Sequence, residues 1–115
     1  MGAYDSARLG RYGEDRVAGW YRARGYRVLA RNWRCELGEL DLVLALDEHV
    51  VVCEVKTRST TRFGHPVEAV GPEKRRRLRL LAARWVEQAP FRPRSLRIDV
   101  AAVLGGRITV VEHAC

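Results

Sequence analysis

Hydrophobic and polar residues recur along this chain first with the period of a helix and later with the period of a strand. Near the N-terminus, apolar and small residues from Leu9 to Tyr21 follow helical spacing. This spacing predicts a first helix that is capped by Asp5 or Ser6, runs to about residue 24 and stops at Gly25. A second apolar stripe, bounded by proline, predicts a helix over residues 72–88.

Between and after these helices, apolar and β-branched residues alternate or run together in short segments. They predict strands over residues 26–33, 40–46, 50–57, 96–102 and 107–112. The predicted order is αβββαββ, in one domain that spans residues 1–115. At 115 residues the chain is long enough for one hydrophobic core but not for two. The pattern therefore predicts an α/β fold with a mixed central sheet flanked by helices.

The second and third strands are separated by only a few polar residues, which favours a hairpin. If its turn is centred between Asp47 and Glu48, Asp41 lies opposite Glu54 and Glu39 lies opposite Lys56. Opposed residues of an antiparallel pair share a face, with Cβ atoms roughly 5 Å apart. Two carboxylates at that distance repel each other unless a proton or a cation lies between them. The hairpin therefore predicts a cation site at the two acids.

Asp41, Glu54, Val55 and Lys56 together resemble the catalytic motif of the PD-(D/E)XK nuclease superfamily, whose fold has an αβββαβ core. The resemblance implies that Asp41, Glu54 and the backbone carbonyl of Val55 hold Mg²⁺ or Mn²⁺. It also implies that Lys56 acts at the scissile phosphate. The proline that often precedes the first acid of the motif is replaced here by Leu40.

Two further acids have alternative interpretations. Resolvase-like members of the superfamily carry a glutamate on the first helix that joins the metal site, and Glu14 matches that position. Its alternative is a surface glutamate that pairs with an arginine one helical turn away. Glu39 is either a carboxylate that supports the metal ligands or the ion-pair partner of Lys56.

Beyond this motif, most of the chain resembles the YraN family of small bacterial proteins. The resemblance rests on residues 10–14, Gly25-Tyr26, residues 31–34, 38–42 and 54–58, Phe63-Gly64 and Lys74. That family is nuclease-like by fold, and its cellular task is unsettled. The resemblance therefore strengthens the fold prediction more than the prediction of activity.

The formal net charge of +7 and an isoelectric point near 10 favour a polyanionic partner. An alternative explanation is an arginine-rich composition that reflects a GC-rich genome. Of the 21 basic residues only two are lysines, and one of these is Lys56, inside the motif. Lysine supplies a compact ammonium that arginine does not imitate, which favours chemistry at this position.

Basic residues near the motif are candidates for contacts with a nucleic-acid backbone. They are Arg58, Arg62, Lys74, Arg75, Arg76 and Arg77. The cluster from Lys74 to Arg77 opens the second helix, where positive charge opposes the helix dipole. Helix stability therefore does not explain the cluster, although a solvated helix face remains its alternative interpretation.

We predict from these observations a metal-dependent DNA endonuclease that selects DNA structure rather than sequence. By analogy with archaeal Holliday-junction resolvases, a homodimer would present two sites to branched DNA. The alternatives are a nucleic-acid-binding module that keeps the nuclease fold without activity, and an RNA-directed or accessory protein. Three cysteines without metal-site spacing, and no long apolar run, favour a cytoplasmic protein without a membrane span.

Overall fold

The computed structural model describes residues 3–58 and 70–115. Its elements, in chain order, are α1 (Ala3–Arg22), β1 (Arg27–Cys35), β2 (Gly38–Leu46), β3 (His49–Arg58), α2 (Pro72–Glu87), β4 (Ser95–Leu104) and β5 (Arg107–Val111). The predicted order αβββαββ and the mixed α/β class are confirmed. The predicted start of the first helix is wrong. Because α1 begins at Ala3, Asp5 and Ser6 lie inside the helix and cannot precede it as caps.

The five strands form one sheet in the order β1-β2-β3-β4-β5. Neighbouring strands are antiparallel except β3 and β4, which are parallel. Parallel strands need a long crossover connection, and the segment between β3 and β4 contains α2. The ladder of β2 and β3 runs from Leu42 opposite Cys53 to Leu46 opposite His49, which is the predicted register. The predicted pairs of Asp41 with Glu54 and of Glu39 with Lys56 lie beyond the end of this ladder and are not formed.

The sheet is covered by one helix on each face, and alternate residues of β3 divide between the two cores. Val50 and Val52 pack on the side of α2, in a cluster with Leu78, Leu81 and Trp85. Val51 and Cys53 pack on the opposite side, in a cluster with Val17 and Tyr21 of α1. Because side chains alternate across a strand, Glu54 and Lys56 continue the face that α2 covers.

The ladders on the two sides of β3 have different lengths. The ladder between β3 and β4 continues to Arg58 opposite Leu104. The ladder between β2 and β3 stops at Leu42 opposite Cys53, although both strands continue beyond this pair. We call the opening between residues 38–41 of β2 and residues 54–58 of β3 the fork. Asp41 and Glu54 are the first residues inside it.

Helix α1 is anchored to the sheet by a buried hydrogen bond and by a close backbone contact. The hydroxyl of Tyr21 donates to Oδ2 of Asp99 at 2.5 Å, and Arg97 binds both carboxylate oxygens of the same fully buried aspartate. Burial and the neighbouring acid raise the pKa of Tyr21, which keeps the phenol protonated as the donor.

The close contact is at Gly13. A Cβ added to this glycine would lie only 1.8 Å from the Oγ1 atom of Thr57. The backbone of α1 therefore lies directly against β3, and the next residue of the helix, Glu14, is held near the fork.

None of the helices in the described ranges is long and apolar enough to cross a membrane.

Candidate metal centre

The fork opens into a pocket of about 270 Å³ between the sheet and the start of α2. Acidic and basic side chains share its wall with the apolar residues of α2. The lining residues are Gly38, Glu39, Asp41, Glu54, Val55, Lys56, Lys74, Arg77, Leu78 and Leu81. The structure therefore brings together Asp41, Glu54, Val55 and Lys56, the four residues of the predicted motif.

Asp41 bridges the gap that the interrupted ladder leaves between β2 and β3. Its Oδ2 atom accepts a hydrogen bond of 2.8 Å from the backbone N–H of Val55. The carboxyl groups of Asp41 and Glu54 line the same pocket, and each contributes to the displaced pKa of the other. In a strand the N–H and C=O of one residue point to the same side, so the carbonyl of Val55 also faces the fork.

The two carboxyl groups have pKa values displaced in opposite directions. Burial, the hydrogen bond with Glu54 and the charge of Glu54 raise the pKa of Asp41 to about 8. Burial also acts to raise the pKa of Glu54, but hydrogen bonds with Asp41 and Lys74 and the charge of Lys56 hold it below its usual value. The opposite displacements mean that at neutral pH the pair holds one proton, on Asp41, and one negative charge, on Glu54.

Both lysines of the chain lie against Glu54. The Nζ atom of Lys56 is 3.7 Å from Oε2 of Glu54, and the Nζ atom of Lys74 is 2.9 Å from the same oxygen. Lys56 comes from the same strand, two residues along, whereas Lys74 reaches across from the first turn of α2. Only 5% of the Glu54 side chain is exposed, so these ammonium groups compensate a buried charge.

Glu14 reaches the edge of this site but is held by other groups. Its two carboxylate oxygens accept hydrogen bonds from the Nδ2 atom of Asn32, at 3.2 and 3.3 Å. One of them is also 3.7 Å from the guanidinium of Arg31. The charge of Glu14 contributes to the raised pKa of Asp41. The arginine partner comes from β1 and not from the adjacent helical turn, so this part of the alternative interpretation is wrong.

Asn32 is a residue of this site that the sequence pattern did not reveal. Its flanking residues in β1, Arg31 and Trp33, pair with Leu42 and Leu40, which places Asn32 opposite Asp41. It has a φ of 51°, in the left-handed region, where asparagine is tolerated better than most residues. This backbone conformation accompanies the hydrogen bonds from its side chain to Glu14. An asparagine in a strand gives no signal of this kind in the sequence.

The donors available at the fork suit a hard divalent cation. Among the residues that the structure describes, no three histidine, cysteine, aspartate or glutamate side chains are grouped as metal ligands. The pair Asp41 and Glu54, with the carbonyl of Val55, offers oxygen donors only. Mg²⁺ is commonly bound by one or two carboxylates and keeps several waters, which fits this set better than zinc or calcium sites do. The shared proton and the two lysines mark a place where a buried negative charge is compensated.

The predicted basic residues fall into different environments. Lys74 and Arg77 line the pocket. The Nε atom of Arg75 donates to the carbonyl of Val70 at 3.0 Å, at the start of α2. Arg76 is exposed, and Arg58 donates to the carbonyl of Thr57 at the end of β3. Arg62 lies outside the described residues.

Glu39 lines the pocket and lies opposite Arg34 in the ladder of β1 and β2. Its carboxylate is 3.7 Å from the Nε atom of Arg34. In the described part of the chain, the ion-pair partner of Lys56 is Glu54 and not Glu39. The interpretation of Glu39 as the partner of Lys56 is therefore wrong, and its role as a supporting carboxylate stays a prediction.

Comparison with known proteins identifies a family. Residues 13–103 match the model of the uncharacterised protein family UPF0102, which is the YraN family, so the predicted resemblance is confirmed. A UPF0102 protein of Beutenbergia cavernae is 55% identical over 108 residues, which cover 91% of each chain. A UPF0102 protein of Mycolicibacterium vanbaalenii is 48% identical over 111 residues, covering 96% of this chain and 92% of its own.

Proposed function

The chain belongs to the uncharacterised protein family UPF0102, and we propose that it is a metal-dependent DNA endonuclease of the PD-(D/E)XK type. The single observation that supports this most strongly is the pocket at the fork, which Asp41, Glu54, Val55 and Lys56 line together. There Asp41 accepts a hydrogen bond from the backbone of Val55, and Lys56 lies 3.7 Å from the buried carboxylate of Glu54. A structural ion pair does not need a second buried carboxyl group whose pKa is raised. Strongly displaced pKa values in a pocket are typical of functional sites.

In this proposal Asp41, Glu54 and the carbonyl of Val55 hold Mg²⁺ or Mn²⁺. When bound, the cation would supply a Lewis acid at the phosphate and lower the pKa of a water. Asp41 would hold the cation as a carboxylate, and its proton would pass to solvent. Lys56 orients the attacking water or stabilises the negative charge that grows on the phosphate oxygens as the P–O bond breaks.

The remaining residues of the site position these groups. Glu14 lies near Asp41 and is held by Asn32, so it extends the negative field of the site or contributes a ligand. Glu39 lines the same pocket as a supporting carboxylate. Arg77 faces the pocket, and Arg76, Arg75, Arg58 and Arg62 would contact the flanking phosphates.

We further propose that the enzyme selects DNA structure rather than sequence. Arginines carry affinity through phosphates but do not themselves read bases. A homodimer would present two such sites to branched DNA, by analogy with Holliday-junction resolvases. Cys35, Cys53 and Cys115 are all free thiols, which suits action in the reducing cytoplasm.

A second candidate function is a non-catalytic nucleic-acid-binding module. The observation that favours it is the 2.9 Å ion pair of Lys74 with Glu54, because an ammonium already occupies one side of the acid. In that case the pair Asp41 and Glu54 would be a structural remnant, and the basic residues would bind DNA or RNA without cleavage.

A cleavage assay separates the two. Linear, flapped and four-way DNA are incubated with the protein in Mg²⁺, in Mn²⁺ and in EDTA. Asp41→Asn and Glu54→Gln should abolish cleavage. In EDTA, Glu54→Gln should bind DNA equally or more tightly, because a negative charge near the phosphates is removed, and Asp41→Asn should bind it equally, because the carboxyl group that it replaces is mostly protonated. Asp47→Asn is the matched control, since it removes an acid from the same hairpin at the turn, where a φ of 54° suits asparagine. Cleavage that persists in both site variants would refute the proposed site, and a wild type that binds but never cuts would favour the module.

A further inference from the structure

Lys74 lies against Glu54, the buried carboxylate that the proposed metal would bind. The chain contains 19 arginines and two lysines, and both lysines contact the same carboxylate, Glu54. Arginine at position 74 would also provide a positive charge to Glu54. The lysine ammonium is compact and mobile, so it can release Glu54 and bind it again. An arginine guanidinium would hold the carboxylate through two parallel hydrogen bonds and would lose both on release. This distribution sets Lys74 apart from the arginines that follow it.

The position of Lys74 is also unfavourable for the stability of its own helix. Lys74 stands in the first turn of α2, where a positive charge opposes the helix dipole. In the same cluster, Arg75 donates to the carbonyl of Val70 and braces the start of the helix. The side chain of Lys74 instead crosses to the sheet, and 41% of it remains exposed at the mouth of the pocket.

The oxygen that Lys74 contacts is one that the proposed metal would use. Oε2 of Glu54 accepts the 2.9 Å contact from Lys74 and lies 3.7 Å from Lys56. An ammonium and a divalent cation compete for such an oxygen, both by occupying space and by mutual repulsion. Lys74 is half-exposed, so its ammonium can move between Glu54 and the rest of the pocket. Lys56 belongs to the same strand as Glu54, two residues away, and stays beside it.

From these contacts, and resting on the proposed function, we infer that Lys74 is a second active-site lysine that exchanges with the metal. In the metal-free protein its ammonium neutralises Glu54. When a divalent cation binds, Lys74 releases Glu54 and becomes available, with Arg77, to a substrate phosphate in the same pocket. At Glu54 one cation replaces another, and the proton that Asp41 carries passes to solvent when the metal binds.

The presence of only two lysines makes the exchange directly measurable. The protein is labelled with ¹³C at the Cε carbon of lysine, which gives one signal for Lys56 and one for Lys74, and Lys74→Met assigns them. On titration with MgCl₂ the Lys74 signal should move in a saturable manner toward the position that it takes in metal-free Glu54→Gln. The Mg²⁺ concentration at half-change should equal the dissociation constant that titration calorimetry gives on the same sample at the same temperature.

Lys74→Met should in addition bind Mg²⁺ about fivefold more tightly than the wild type, because a half-exposed ion pair that competes with the metal is removed. Arg76→Met is the matched control, since it removes one positive charge from the same exposed helix start and should leave Mg²⁺ affinity within about twofold. Cleavage by Lys74→Met should fall although its metal affinity rises.

The outcomes distinguish the inference from the proposed function. Saturable Mg²⁺ binding with a stationary Lys74 signal and unchanged affinity in Lys74→Met would overturn the exchange and leave the metal site standing. Absence of Mg²⁺ and Mn²⁺ binding in both the wild type and Lys74→Met would overturn the proposed metal site, and the exchange with it. Binding by Lys74→Met alone would overturn the exchange, because Lys74 of the wild type would then never release Glu54, and it would favour the non-catalytic module.

Discussion

The shared proton of Asp41 and Glu54 predicts that metal binding releases a proton, and this linkage can be worked out from the structure. Burial and Glu54 raise the pKa of Asp41 to about 8, so at pH 7 this carboxyl group is ~90% protonated and at pH 9 only ~10%. Because the metal binds the deprotonated carboxylate, Mg²⁺ binding should release ~0.9 proton at pH 7 and ~0.1 proton at pH 9.

The same equilibrium sets the pH dependence of affinity. Below pH 8 the apparent affinity for Mg²⁺ should fall about tenfold for each unit of pH, and above pH 8 it should level off. Titration calorimetry at pH 7 in two buffers with different enthalpies of ionisation gives the number of protons released. When the titration is repeated at pH 8 and pH 9, the number of protons released should decline.

Asp41→Asn should bind Mg²⁺ weakly and release no proton, since the carboxamide neither holds nor loses one. Asp47→Asn should behave as the wild type, because the substituted acid lies at the hairpin turn and not at the fork. Mg²⁺ binding at pH 7 without proton release in the wild type would refute the reasoning, since it would mean that the pair is already fully ionised.

Three further predictions concern the DNA-binding arginines, Asn32 and the packing of α1. Arg76→Ala combined with Arg77→Ala should weaken binding to all DNA sequences and reduce the salt dependence by about one unit of slope for each phosphate that the arginines no longer neutralise. Asn32→Gly should preserve the left-handed backbone but release Glu14, and should lower cleavage while leaving the unfolding temperature near that of the wild type. Gly13→Ala should destabilise the protein by ~1–3 kcal/mol, because the new methyl group overlaps Thr57, and Thr57→Ala should restore part of this stability in thermal unfolding.

Each of these has a control and a contrary result. Arg94→Ala removes a charge that pairs with Glu48 beside the hairpin turn, and an equal change of slope there would assign the effect to net charge alone. Equal cleavage by Asn32→Gly and the wild type would make Asn32 a structural residue only. A Gly13→Ala protein as stable as the wild type would show that α1 can shift away from β3 without cost.

The parts of this protein that were predicted correctly depend on short-range regularities. The register of β2 and β3 follows from alternation and from a two-residue turn, so the sequence predicts that Asp41 and Glu54 lie near each other, although the ladder ends one pair before them. The two-sided burial of the sheet follows in the same way from the apolar runs of β2 and β3. The start of α1 was wrong because polar residues that favour a cap also occur inside a first turn.

The parts that were missed depend on the packing of distant segments against each other. Lys74 and Glu54 are brought together by the packing of α2 on the sheet, and no local pattern specifies which member of a basic cluster will reach the sheet. The pairing of Glu39 with Arg34 required knowledge that β1 lies beside β2. Asn32 was missed because its left-handed backbone, and not its residue type or spacing, reveals its role.

The fork also has a consequence for how the amides of β3 exchange with solvent. Amides in a continuous ladder exchange only when the strands separate, so their protection reports on opening of the sheet. The amide of Val55 is instead bonded to the side chain of Asp41, so its protection depends on a single carboxyl group. Val55 can therefore exchange when Asp41 turns away, while the rest of β3 stays protected. One backbone amide thus becomes a local reporter of whether this carboxyl group faces the strand or faces a ligand.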